Sequence, residues 1–90
     1  MAEVFHAINP TFGFEKQPQW PEEYRLVAET ETDDLQQVFA LTNSIEYDWW
    51  LNKGVKSLVG SCRSSSVGDV VVTSEGKVWR CDMMGWSELN

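Results

Sequence analysis

Ninety residues with fourteen acids against seven lysines and arginines, a net charge of −7, are enough for one small acidic domain with a single modest core. Hydrophobic residues at 42% and charged residues at 23% exclude a disordered chain, and the acidic surplus disfavours direct grip on a phosphate backbone. No apolar run reaches the roughly 18 residues of a membrane-crossing helix, and the opening MAEVFHAINP has no basic-then-apolar export leader, so a cytoplasmic protein without membrane contact is expected.

Residues 3–8 alternate, with Val4, His6 and Ile8 on one side and Glu3, Phe5 and Ala7 on the other, which predicts a strand. Pro10, Pro18 and Pro21 then forbid a helix interior or central strand, and a loop pinned by Phe12, Phe14 and Trp20 is expected. A second strand follows over 24–31. Tyr24, Leu26 and Ala28 face one way, and Arg25, Val27, Glu29 and Glu31 the other. Thr30 or Thr32 can cap the helix that comes next, with Asp33 and Asp34 in its first turn, where the helix dipole favours negative charge. Leu35, Val38, Phe39, Leu41, Thr42 and Ile45 form its apolar stripe, and Asn43-Ser44 begins its end. Trp49 and Trp50 are adjacent, so at least one of them is expected at the end of the core or partly exposed.

Gly54 reads as a turn, 55–60 as a short third strand, and Ser61 to Ser66 as a hydroxyl-rich connection. The β-branched run Val70-Val71-Val72 predicts a buried strand. Ser74-Glu75-Gly76 supplies hairpin chemistry before an alternating strand over 77–82, and 86–89 ends the chain as a last strand or docked tail. In Ser66-Val67-Gly68-Asp69 a structural turn is expected: Gly68 permits it, and Ser66 and Asp69 can bond free backbone amides. The order β-β-α-β-β-β predicts an α+β domain, one helix packed on a small, mostly antiparallel sheet.

Chemistry-bearing patterns are sparse. His6, Cys62 and Cys81 have no zinc-ligand spacing, no phosphate loop is present, and no metal or cofactor is expected. A Cys62–Cys81 disulfide is one alternative, but two reduced thiols suit the reducing compartment expected, and Arg63 and Arg80 beside them could lower their pKa. His6 with Ser61, Ser64, Ser65 or Ser66 could in principle build a Ser-His-Asp set, but no GxSxG elbow accompanies it, and no catalytic residue is assigned. Charge is the stronger signal. Residues 1–48 hold ten acids against Lys16 and Arg25, net −8, while residues 49–90 are net +1. The densest stretch places Glu22, Glu23, Glu29, Glu31, Asp33 and Asp34 around one arginine. An acidic ridge along the strand end and helix start is expected, either as a solvated face or as a surface for a basic partner.

The stretch RSSSVGDVVVTSEGKVWRCDMMGWSEL, residues 63–89, resembles the C-terminal half of small bacteriophage and plasmid domains, the YodL-like domain among them. The helix end LTNSIEYDWW, residues 41–50, resembles a segment of small phage proteins. The resemblance implies a mobile-element protein acting in the cytoplasm of a bacterial host, and brings no catalytic residues. With the charge asymmetry, it points to a protein that blocks a basic, nucleic-acid-handling host defence complex, of the anti-CRISPR or anti-restriction type, through carboxylates that imitate phosphates. Glu22, Glu23, Glu29, Glu31, Asp33 and Asp34 would make the contact, with Trp49, Trp50 or Trp20 as aromatic anchors. The alternative is a non-inhibitory accessory module, homodimeric through a sheet edge or the Trp49-Trp50 pair.

Overall fold

A computed structural model describes residues 1–9, 18–43, 48–60, 63–83 and 85–89. The strands are β1 (Ala2–Ala7), β2 (Tyr24–Thr30), β3 (Val55–Ser57), β4 (Val70–Val72), β5 (Val78–Asp82) and β6 (Gly85–Leu89). Helix α1 (Leu35–Thr42) and a 3₁₀ turn over Trp49–Leu51 lie between β2 and β3. The strands form one six-stranded sheet in the order β3-β2-β1-β4-β5-β6, antiparallel at every pairing. This is the expected α+β architecture of one helix on an antiparallel sheet. The candidates Phe12, Phe14, Ile45, Ser61 and Cys62 lie outside the described residues.

Alternation separates the two faces of the sheet. Val4 pairs with Val71, and these join Ala2, Ala28, Val38 and Trp49 in the cluster beneath α1. Phe5 pairs with Val70 on the other face, where Ala7, Tyr24 and Val70 form a second cluster backed by Trp20, Val72 and Val78. Trp20 sits edge-on to both Phe5 and Tyr24, with ring centroids 4.9 and 5.3 Å away. Trp20, between Pro18 and Pro21, therefore covers the face opposite α1.

One register shift changes a predicted face. Val4 pairs with Ala28 but Phe5 pairs with Leu26, so Val27 is the extra residue of a β-bulge. Simple alternation sends Val27 and Ala28 to opposite faces. The bulge instead buries both in the cluster under the helix. Ile8, expected beside Val4 and His6, lies past the end of β1 and is 56% exposed.

The helix also starts later than expected. Asp34 is its N-cap, and its carboxylate accepts from the amides of Gln36 at 3.0 Å and Gln37 at 3.2 Å. No acid lies within the first turn. Thr32 Oγ1 accepts from the Asp34 amide, and the buried Thr30 hydroxyl donates to the Thr32 carbonyl. The threonines shape the approach, and the aspartate makes the cap. Val38 and Thr42, one turn apart, are the buried face of α1, while Phe39 meets Trp86 of β6 edge-on. Gly54, Gly68 and Gly76 have φ of +87°, +97° and +82°, so the turns expected at those positions use the backbone freedom of glycine.

Val38 is fully buried between helix and sheet. Val38→Ala is expected to cost about 2 kcal/mol. Urea denaturation should show a lower midpoint at an unchanged slope.

Candidate functional site

The six acids form two groups. Glu22 and Glu23 lie exposed in the turn before β2, where the Glu23 carboxylate accepts from the Gln19 amide at 2.6 Å and the Ile8 amide donates to the Glu23 carbonyl. Glu29, Glu31, Asp33 and Asp34 lie around the other end of that strand, about 20 Å away at ~3.3 Å per residue. Glu22 and Glu23 therefore do not extend the ridge at the helix start.

The second group draws on several elements. Met1, Glu29, Glu31, Val55 and Lys56 line one shallow hollow. The N-terminal amine pairs with Asp33 Oδ2 at 3.2 Å. Asp33 also reaches the β4–β5 hairpin, accepting from the Ser74 amide at 3.0 Å and its hydroxyl at 2.5 Å. These bonds from Ser74, aided by the amine, hold the Asp33 carboxyl below its ordinary pKa. Glu29 stands 3.9 Å from Lys56 Nζ across the strand pair. Glu31 and Asp34 are exposed.

The tryptophans divide differently from the expected anchors. Trp49 is 1% exposed, so it is no surface anchor. Its indole N–H donates to the Arg63 carbonyl at 3.0 Å, and its ring fills the core under α1. Trp50 is half-buried and meets Trp49 edge-on at 5.9 Å, and Trp20 is half-buried on the opposite face of the sheet.

The most connected polar group is internal. Arg63 donates two parallel bonds to Asp69, Nη1 to Oδ2 and Nη2 to Oδ1, each 2.7 Å long. Asp69 also accepts from the Ala7 amide at 3.0 Å and the Ser66 amide at 2.8 Å. Arg63 Nη2 reaches the Ala7 carbonyl as well. His6 Nε2 lies 2.8 Å from Ser65 Oγ and 3.9 Å from Asp69 Oδ2. The Ser65 backbone closes the helix end: its amide donates to the Thr42 carbonyl, and its carbonyl accepts from Asn43 Nδ2. Gly68 donates its amide to the Cys81 carbonyl and accepts the Tyr24 hydroxyl. The Ser66-Gly68-Asp69 turn thus docks on β1, β2 and β5 at once.

His6, Ser65 and Asp69 resemble a hydrolase triad in composition but not in geometry. In a working triad the carboxylate orients the ring nitrogen that the serine does not use. Here serine and carboxylate lie on the same side, nearest the same Nε2. All three residues are at most 4% exposed, which closes the serine to a substrate. Burial is the main influence lowering the His6 pKa to about 4; Asp69 opposes it, and Arg63 and Arg25 reinforce it. Cys81 is a free, buried thiol. Burial first, then Asp69 and Asp82, push its pKa up to about 11, the reverse of the lowering expected from its arginine neighbour. A thiol so shifted is a poor nucleophile at neutral pH. Among the described residues no group of three or more His, Cys, Asp or Glu side chains is placed to hold a metal ion, and no helix is long and apolar enough to cross a membrane.

The sequence reading did not single out Arg63, Ser65 and His6 as one group. Ser65 lies 59 residues from His6, with Arg63 close to it in the chain, and the three follow no motif. No family model, curated protein or solved structure matches the chain.

Two outcomes test the internal network. Arg63→Met leaves the Asp69 carboxylate buried without its main partner and is expected to cost about 3 kcal/mol or more in chemical denaturation. For His6, the folded pKa lies below the unfolded value of 6.5. The unfolded chain therefore takes up the proton first. The contribution is complete above pH 6.5 and declines as pH falls toward about 4, by roughly 3 kcal/mol in all. The stability difference between wild type and His6→Gln should be constant above pH 7 and change through that window. A difference independent of pH would show that His6 is not held neutral.

Proposed function

We propose that this chain is a non-enzymatic binding protein whose acidic end, Glu29, Glu31, Asp33 and Asp34, docks on a basic surface of a macromolecular partner. The observation that carries the reading is the gathering of these carboxylates at one end of the sheet, with Lys56 and the N-terminal amine as their close cationic partners. Carboxylates spaced along a strand end and a helix start can occupy phosphate positions in a groove built for nucleic acid. Their attraction accelerates encounter and weakens with salt. In its finer form the partner is a nucleic-acid-handling host defence complex, and the protein is a phage or mobile-element inhibitor acting by occlusion. That form rests on the resemblance of residues 63–89 and on the charge asymmetry.

The test is affinity capture from bacterial lysate at low and high salt. It compares wild type with a Glu29→Gln, Glu31→Gln, Asp33→Asn, Asp34→Asn variant, which removes charge but keeps hydrogen-bonding capacity at the cap. A basic complex should be retained at low salt and released at high salt, with capture by the variant weaker by about tenfold or more. Neutralising Glu22 and Glu23 instead should change capture by less than about twofold, because those residues lie at the other end of β2. Capture indifferent to salt and to all four substitutions would overturn the reading.

A further inference from the structure

The strand at one border of the sheet, β3, lies beside the acidic end. The Glu31 amide donates to the Gly54 carbonyl at 2.9 Å, and the Leu58 amide donates to the Val27 carbonyl at 2.9 Å. With Lys56 paired to Glu29, the residues turned toward β2 are Gly54, Lys56 and Leu58. Alternation then turns the backbone of Val55 and Ser57 outward. The Val55 amide folds back onto the Asn52 carbonyl. Facing away from the sheet are the Val55 carbonyl and both backbone groups of Ser57, and among the described residues no strand lies beyond them. Leu51 and Leu58 bracket the strand in the chain and are 74% and 41% exposed. The Glu31 carboxylate overhangs Gly54 at the head of the strand, where a Cβ on the glycine would lie 3.6 Å from Oε2.

We propose that this border is where the basic partner makes contact: an extended segment with lysine or arginine alternating with apolar residues adds beside Val55–Ser57 as a seventh strand, its cations on the face of Glu29 and Glu31 and its apolar side chains on the face of Val55, which packs against the core cluster. The inference rests on the acidic-end reading and gives the partner its local chemistry. Strand addition gains affinity from main-chain bonds and selectivity from alternate side chains. A second copy fits worse. Two β3 strands paired antiparallel about Lys56 would set lysine opposite lysine, a repulsion that commonly protects sheet borders from self-association. Two chains of charge −7 would add to it. Lys56 is engaged by Glu29 within its own sheet, which lessens its repulsion of an incoming cation.

The probe is an eight-residue acetylated peptide of alternating lysine and valine, followed by fluorescence anisotropy and by amide hydrogen exchange of the full chain. Binding should slow exchange of the Ser57 amide and should fail when glutamate replaces the peptide's lysines. Ser57→Pro removes an outward N–H, at a place where sheets tolerate proline, together with the hydroxyl's 3.3 Å bond to the Val59 carbonyl, and should weaken binding about tenfold or more with the fold retained. Glu31→Gln should weaken it several-fold. If Ser57→Pro does not fold, exchange at Ser57 in the wild-type chain decides. Peptide binding that leaves Ser57 exchange unchanged but is lost on neutralising the acids overturns the border contact while leaving the acidic-end reading in place. No peptide binding, or a concentration-dependent dimer that protects Ser57, also overturns the border proposal, and lysate capture then judges the acidic end separately.

Discussion

The paired bonds between Arg63 and Asp69 hold the centre of the molecule together. Strand β1 pairs with β4 only as far as Phe5 and Val70, so the backbone of Ala7 runs past the ladder on that side. The two side chains take up the ladder's role: Asp69 accepts the Ala7 amide and Arg63 donates to the Ala7 carbonyl. An ion pair in a low-dielectric interior recovers its desolvation cost only when further hydrogen bonds satisfy both partners. Asp69 receives bonds from Arg63, Ala7 and Ser66, which meets that condition. The fork geometry of arginine serves two carboxylate oxygens and a carbonyl from one planar group, which the single ammonium of lysine cannot do.

That clasp decides how the rest of a small core is organised. The segment before β4 crosses from the β3 border of the sheet to its centre, and Arg63, Ser65 and Gly68 each pin part of the crossing. The Arg63 carbonyl takes the Trp49 indole N–H, Ser65 closes the end of α1, and Gly68 receives the Tyr24 hydroxyl. Apolar packing is divided between two faces. The bulge at Val27 enlarges the cluster under the eight-residue helix, and Trp20 covers the opposite face. A domain of this size has total stability of only about 5–13 kcal/mol, so the buried polar junction is a substantial part of what holds these layers in register.

Local patterns carried most of the architecture. The valine run at 70–72, the glycine turns and the alternation in 77–82 need only nearest-neighbour rules, and the elements formed there, the last of them beginning one residue later at Val78. Facing was less legible. The Val27 bulge depends on how β1 and β2 slide against one another, which alternation within a single strand does not encode. The helix cap moved from threonine to Asp34 because the chain before α1 is extended, with φ −73° and ψ 115° at Asp34, and its carboxylate reaches two amides from there. The acidic stretch was visible as composition, but its division into two groups follows from the length of β2. The polar centre was the least legible part. His6 looked like an isolated histidine among apolar neighbours and Arg63 like the flank of a serine run, and only the antiparallel placement of β1 beside β4 joins them.

The separation of that centre from the acidic end has a functional consequence. Arg63 and Asp69 compensate one another, so the fold does not draw on the surface carboxylates to neutralise this half-buried arginine. Of the four acids at the end of β2, Asp34 caps the helix and Asp33 ties the N-terminus and the β4–β5 hairpin to it, while Glu31 is exposed and Glu29 makes a single long cross-strand contact. Energetic effects at sites more than about 7–10 Å apart without shared partners are close to additive. Charge at Glu29 and Glu31 can therefore change with little effect on the buried junction. A domain built this way can alter the field it presents to a partner while its interior chemistry stays fixed.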